Sequence, residues 1–177
     1  MKYHPVLLSL GSNLGDRQAN LQSALERISD SPAMSVRKIS SLYETTPLYN
    51  PDQGNFYNIA AEIETDLRPT ELIDTLKRIE VNGGRDLNAK RYGPREIDID
   101  IIFFTNVVLK SEKLTIPHHS LYERSFVLTP LNELNGRFVD PVTGKNVRLL
   151  LSECPDRTSI QKIGTMNIPK SEFLTEV

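Results

Sequence analysis

The chain has 177 residues, 21 Lys and Arg against 23 Asp and Glu, a net charge of -2 and a single cysteine. A chain of this length buries about 70% of its unfolded surface, enough for one core without staples, and its near-neutral balance excludes attachment to nucleic acid by bulk charge. Lone Cys154 excludes an internal disulfide, no Cys/His spacing suits structural zinc, and no apolar run reaches the length of a signal-peptide core or a membrane span. The expectation is a soluble, cytoplasmic, monomeric single domain over 1–177 with no nucleic-acid or membrane partner.

In chain order, Val6–Leu10 reads as a buried strand closed by the turn residues Gly11-Ser12-Asn13-Leu14-Gly15. Asp16 is suited to cap a helix whose Leu21, Ala24, Leu25 and Ile28 recur at helical spacing. Val36 to Tyr43 is β-rich, and Thr45 to Asn55, with two prolines, a glycine and two asparagines, reads as a long loop. Phe56 to Glu64 alternates: Tyr57, Ile59, Ala61 and Ile63 share one face, Phe56, Asn58, Ala60 and Glu62 the other. A second helix begins near Pro69, carries Leu72, Ile73, Leu76 and Ile79, and stops at Gly83-Gly84. Glu96 to Phe104 alternates again, and Val107–Leu109 is expected to return beside it as a hairpin strand across Thr105-Asn106. Phe126 to Leu134 has helical spacing, with Pro130 expected near its start or at a kink, and Val147 to Cys154 is a last helix. The segment 164–177 carries no periodic signal and is expected to be a loose tail. The order strand, helix, strand, strand, helix, strand predicts an α+β, ferredoxin-like βαββαβ core with a mostly antiparallel sheet, an extra hairpin and C-terminal helices.

The strongest feature is the run Arg91-Tyr92-Gly93-Pro94-Arg95-Glu96-Ile97-Asp98-Ile99-Asp100-Ile101-Ile102. In an extended strand Asp98 and Asp100 share one face, their roots about 6.6 Å apart, while Ile97, Ile99, Ile101 and Phe103 share the other. Paired carboxylates repel unless cations lie beside them, and Mg²⁺ accepts one or two protein carboxylates while filling its octahedron with water and phosphate oxygens. The plain alternative is a solvated polar face. Arg85, Lys90, Arg91 and Arg95 precede the pair in a loop that begins with Gly83-Gly84, and guanidinium beside metal-binding carboxylates suits a polyphosphate. No Walker A sequence and no protein-kinase signature is present. Phe56 and Asn58 share a face, an aromatic plane beside an amide suited to a flat heterocycle. His118-His119, without a partner cluster, reads as a loop or hydrogen-bonding pair, followed by Arg124 and Phe126.

Taken together these residues resemble the 6-hydroxymethyl-7,8-dihydropterin pyrophosphokinase family of folate biosynthesis. The likeness runs in order from Leu10-Gly11-Ser12-Asn13-Leu14 through Ser41 to Thr45, Asn58 to Ala61, Arg78-Ile79-Glu80 and Arg91 to Ile102. It continues through Ile116-Pro117-His118 and Arg124-Ser125-Phe126 to Pro130-Leu131. The resemblance implies an ATP-dependent diphosphotransferase that moves pyrophosphate from ATP to the pterin hydroxymethyl group and releases AMP. It implies two Mg²⁺ on Asp98 and Asp100, with Arg85 and Arg95 as catalytic cations on the phosphates. Further ATP contacts are implied at Lys77, Glu80, Ile101, Lys113, His118, His119 and Arg124. The pterin site is implied at Thr45, Thr46, Leu48, Phe56, Asn58, Asp98 and Phe126, with the ring between the two phenylalanines. Tyr92 stands where the family commonly has Trp, His119 where Tyr is common, and Leu87 and Asn88 where some relatives are basic. The glycines and charges of 83–94 suggest a loop that closes over both substrates. Two rivals are a Mn²⁺-dependent nucleotide-sugar glycosyltransferase, for which this length is small, and a single-stranded-RNA binder, which lacks an RNP1 run.

Overall fold

The computed structural model describes residues 4–86 and 88–170. Strand β1 (His4–Ser12) lies inside a six-stranded sheet, next to its edge strand. It is flanked antiparallel by β4 (Phe56–Thr65) on one side and β5 (Asp98–Phe104) on the other. Strands β2 (Met34–Ile39) and β3 (Leu42–Thr45) both pair with β4, at its two ends, and β8 (Ile160–Gly164) pairs with β3. Helices α1 (Arg17–Ser29) and α2 (Pro69–Asn82) pack on one face. Asp16 caps α1 by accepting from the Ala19 N–H at 3.0 Å, and Glu71 closes the start of α2 by accepting from the Arg68 N–H at 2.8 Å. Leu21, Leu25, Leu72 and Leu76 pack there against Leu8, Leu10, Ile59 and Ile99. The ferredoxin-like arrangement follows from the alternation and the two helical stripes, as expected.

The other face is divided. Helices α3 (Ser125–Asn135) and α4 (Val147–Glu153), with the 3₁₀ turn Leu121–Glu123, cover only part of it, over Leu7, Ala60, Ile102 and Phe103. The remainder, at the start of β5 and the ends of β1 and β4, forms the floor of a cleft.

Several expectations need correction. The β-rich stretch 36–43 is two strands, because Ser40 leaves the ladder: its N–H donates to Ala60 O and its hydroxyl accepts from Ala60 N, each at 2.9 Å. Phe103 does not share the face of Ile97, Ile99 and Ile101. A bulge between Leu7 and Leu8 pairs Leu8 with Ile101 and Leu7 with Phe103, so Phe103 turns to the α3 side and Phe104 joins the first core. Val107–Leu109 does not return beside β5. Thr105-Asn106 lacks the glycine of a tight hairpin turn, Thr105 takes φ 48°, and Leu109–Lys110 (β6) pairs instead with Thr115–Ile116 (β7). Of the two places expected for Pro130, the helix start is not the one taken: it lies midway in α3. In the segment expected to be loose, Gly164 ends β8 and the Asn167 backbone exchanges two hydrogen bonds with the Gln22 side chain. Its remaining part, 171–177, lies outside the described residues, as does Leu87. No helix among the described residues is long and apolar enough to cross a membrane.

Candidate active site

Sheet register assembles the floor. Gly11 pairs with Asn58 on one side and Asp98 on the other, and Ser9 pairs with Ala60 and Asp100. Directly paired residues point to the same face, so the carboxylates, the amide and the Phe56 ring rise from neighbouring strands. Gly11 is needed because the strands carry large polar groups on both sides: a Cβ there would meet Asn58 Oδ1 at 2.8 Å. Asn58 is itself fixed, donating from Nδ2 to Thr45 Oγ1 at 2.7 Å.

The two carboxylates differ in their surroundings. Arg85 Nη1 donates to Asp98 Oδ1 at 2.5 Å and Arg95 Nη1 to Oδ2 at 2.9 Å. Burial disfavours the Asp98 charge, but Arg95 and then Arg85 outweigh it and hold the carboxyl below its ordinary range. Asp100 has, among the described residues, His118 Nε2 at 3.9 Å as its basic neighbour, beyond hydrogen-bond reach. Burial and then the Asp98 charge push its carboxyl up to about 7. Burial and the nearby Arg124 push His118 down to about 4, so it is neutral at pH 7 and brings no charge to Asp100.

Glu80 supports this group from below. Its side chain is fully buried, and Oε1 accepts from the Ile99 N–H on the open edge of β5 at 2.6 Å and from Lys77 Nζ at 2.9 Å. Oε2 accepts from Arg85 Nη1 at 2.6 Å, the same nitrogen that reaches Asp98. The carboxyl is held above its ordinary value by burial, against the pull of Lys77.

Two loops wall the cleft, which encloses about 750 Å³. Asn13 ties them together. Its Oδ1 accepts from Arg95 N at 2.9 Å, its N–H donates to Arg95 O at 3.1 Å, and its Nδ2 donates to Gln53 Oε1 at 2.9 Å. Gln53 Nε2 then donates to Tyr92 O at 3.1 Å. Tyr92 takes φ 62°, a left-handed backbone costing a non-glycine residue about 1–2 kcal/mol. Its ring lies 4.6 Å from that of Tyr49, whose hydroxyl accepts from Arg124 Nε at 3.2 Å.

The structure brings Thr45, Thr46, Leu48, Phe56, Asn58, Lys77, Arg85, Arg95, Asp98, Asp100, His118, His119, Arg124 and Phe126 to this one cleft. It does not bring the others. Glu80 spends its carboxylate beneath the floor, Ile101 is 1% exposed within the core, and Lys113 is paired with Asp74 at 2.5 Å away from the cleft. Asn13, Gln53, Tyr49 and the packing role of Gly11 escape the sequence reading, because each acts through partners some 40 residues away or across strands. Gly11 and Asn13 have one signal, their place in the Leu10-Gly11-Ser12-Asn13-Leu14 run, whereas Gln53 and Tyr49 have none beyond the crowding of polar and turn residues in their loop.

No group of three or more His, Cys, Asp or Glu side chains among the described residues could hold a metal unaided. Asp100, half-buried beside a second carboxylate and without a cationic partner within 4 Å other than neutral His118 among the described residues, is nevertheless a site that favours positive charge. Such a donor set suits a hard cation that completes its shell with water and phosphate.

Fold and site together define an α+β protein with an acidic sheet centre beneath a basic loop, next to an aromatic and amide recess. The chain belongs to the 7,8-dihydro-6-hydroxymethylpterin-pyrophosphokinase (HPPK) family, whose profile matches residues 7–136. It is 43% identical over 127 residues to the 2-amino-4-hydroxy-6-hydroxymethyldihydropteridine pyrophosphokinase of Bacillus subtilis (strain 168), covering 72% of this chain and 75% of that one. It is 45% identical over 134 residues to the folate synthesis bifunctional protein of Arabidopsis thaliana, covering 76% of this chain but 28% of the relative. The chain thus spans about a quarter of the length of that longer relative. The HPPK-DHPS crystal structure from Plasmodium falciparum with pterin and p-hydroxybenzoate shares the fold, with a TM-score of 0.65 at 18% identity, covering 86% of this chain and 42% of that one.

Proposed function

We propose that this chain transfers the pyrophosphoryl group of ATP to the hydroxymethyl oxygen of 6-hydroxymethyl-7,8-dihydropterin and releases AMP, within tetrahydrofolate biosynthesis. The oxygen–phosphorus bond forms at the β-phosphorus as the bond to the α-phosphate oxygen breaks, and the hydroxyl proton is lost. The observation that carries this reading is the cleft itself, where a flat-ring recess (Phe56, Asn58, Thr45) and a carboxylate pair under a basic loop face one another across Gly11. Family membership supports it.

In this reading Phe56 and Phe126 hold the ring between them, with Thr46 and Leu48 at its rim. Asn58, locked by Thr45, presents its Oδ1 to the ring's donors. Lys77, Arg85, Arg95 and Arg124 neutralise the triphosphate, and His118 and His119, stacked at 4.6 Å, border it. Asp98 and Asp100 would hold two Mg²⁺, which when bound neutralise phosphate charge and acidify the attacking hydroxyl. Most of the protein's own work is positioning and electrostatics. The loop 83–94, already tied to Gln53 through Tyr92, closes over the substrates and excludes water.

Incubation with ATP, Mg²⁺ and the hydroxymethyl-dihydropterin tests the reading: AMP is expected, and ADP or no nucleotide product overturns it. UDP-sugar hydrolysis, or an RNA mobility shift without AMP, would install one of the rivals. The chain is also proposed to act as a cytoplasmic monomer. Sedimentation and cell fractionation test this, the latter because the folate synthesis bifunctional protein of Pisum sativum is named as mitochondrial.

A further inference from the structure

Both oxygens of Asp98 already carry a guanidinium group, while Asp100 carries none among the described residues. We propose that Arg85 and Arg95 hold the divalent cation's place on Asp98, and that metal reaches this carboxylate only when a polyphosphate draws the two guanidinium groups away. The inference rests on the pyrophosphokinase reading for the identity of that polyphosphate.

Two positive charges at 2.5 Å and 2.9 Å from the Asp98 oxygens cancel the field that would attract a free divalent ion. An opposite charge this close shifts a carboxylate's affinity for a proton by 1–3 units in typical cases, and a divalent cation meets a like-charge penalty of the same origin. The arrangement also makes the exchange easy. Arg85 Nη1 is shared between Asp98 and Glu80, so on leaving Asp98 it keeps its bond to Glu80 at 2.6 Å. Glu80 does not move with it, being fully buried and pinned by Ile99 N and Lys77. Arg95 is held at its backbone by the reciprocal pair with Asn13, which leaves the guanidinium as its movable part. A triphosphate offers each guanidinium two-pronged oxygen pairs and more charge than one carboxylate, so it outcompetes Asp98. Metal, phosphate and the two arginines then rearrange as one exchange. Glu80 is the positioning residue, acting through Arg85.

The test measures Mn²⁺ binding by electron paramagnetic resonance, on the full chain without nucleotide. Arg85→Gln and Arg95→Gln should each tighten Mn²⁺ binding by about tenfold, Arg85→Lys should leave it at the parent value, and adding Asp98→Asn should abolish the gain. With a non-hydrolysable ATP analogue present, the parent should bind Mn²⁺ tightly and both Gln variants should bind the analogue more weakly. Unchanged or weaker Mn²⁺ binding in both Gln variants, with thermal melts showing them folded, overturns the proposal. Should one variant fail to fold, the other decides. The AMP assay judges the pyrophosphokinase reading separately: AMP from a parent whose variants show no gain removes this inference alone, and a gain without any AMP removes the reading alone.

Discussion

Strands β1, β4 and β5 present one continuous face to two different surroundings. Toward one end Leu7, Ala60, Ile102 and Phe103 lie dry under α3 and α4, and toward the other Ser9, Gly11, Asn58, Asp98 and Asp100 floor an open cleft. The strands pair antiparallel in both halves, with the bulge between Leu7 and Leu8 falling near the border. What changes is side-chain chemistry, from apolar residues that gain by burial to charged ones that lose by it. The dry half is therefore where stability resides, and the wet half is where binding energy is available for work.

Substitutions break or sharpen that division. The largest effect is expected at Asp100: Asp100→Asn should lower AMP formation by at least about a thousandfold. Removing its repulsion with Asp98 should leave the melting temperature unchanged or raised. The opposite pattern is expected on the dry side, where Leu128→Ala should cost about 2–5 kcal/mol in urea unfolding yet leave the KM values of the folded fraction alone. A smaller effect falls on the boundary. Gly11→Ala drives a methyl against Asn58 Oδ1 and breaks its bond to Thr45, so the pterin KM should rise by about tenfold, one hydrogen bond's worth, with the ATP KM little changed.

The smallest effect tests how α3 is fastened to β3. Glu133 accepts from Ser41 N at 2.9 Å, Ser41 Oγ at 2.7 Å and the Tyr43 hydroxyl. Burial opposes its ionisation, but the Tyr43 and Ser41 bonds prevail and lower the carboxyl from 4.5 to about 2. A lowered carboxylate stabilises fully above its unfolded value, and that contribution fades as pH falls from 4.5 toward 2. Glu133→Gln should flatten the acid limb of the stability profile in this window and nowhere above pH 5. An unaltered limb would show that the clasp contributes nothing.

Elements with a strong apolar stripe were legible in the sequence. Helices α1 and α2 and one face of strands β1, β4 and β5 meet in one core, and that shared constraint repeats at a period of 2 or 3.6 residues. Strand β8 was not legible, since four of its five residues are exposed and it is held by backbone pairing to β3. The break between β2 and β3 depends on the Ser40 hydroxyl, and the bulge that turns Phe103 depends on its partner strand. At the site, alternation alone placed Asp98 and Asp100 together and Phe56 beside Asn58. It could not show that Arg85 and Arg95 converge on one carboxylate, nor that Glu80 is sealed below the floor, because those facts depend on where loops close in space. Lys113 shows the converse: a match to a family position does not determine which partner a flexible lysine takes.

The row Asp98, Gly11, Asn58 has a metric consequence. Its members sit on three adjacent strands, whose separation is fixed by backbone pairing at about 4.8 Å each. A ligand gripped at the amide and reacting above the carboxylate must therefore reach across about 10 Å. The sheet acts as a caliper, and under the proposed reaction molecules with a shorter or longer arm between ring and reacting oxygen are expected to bind without being turned over.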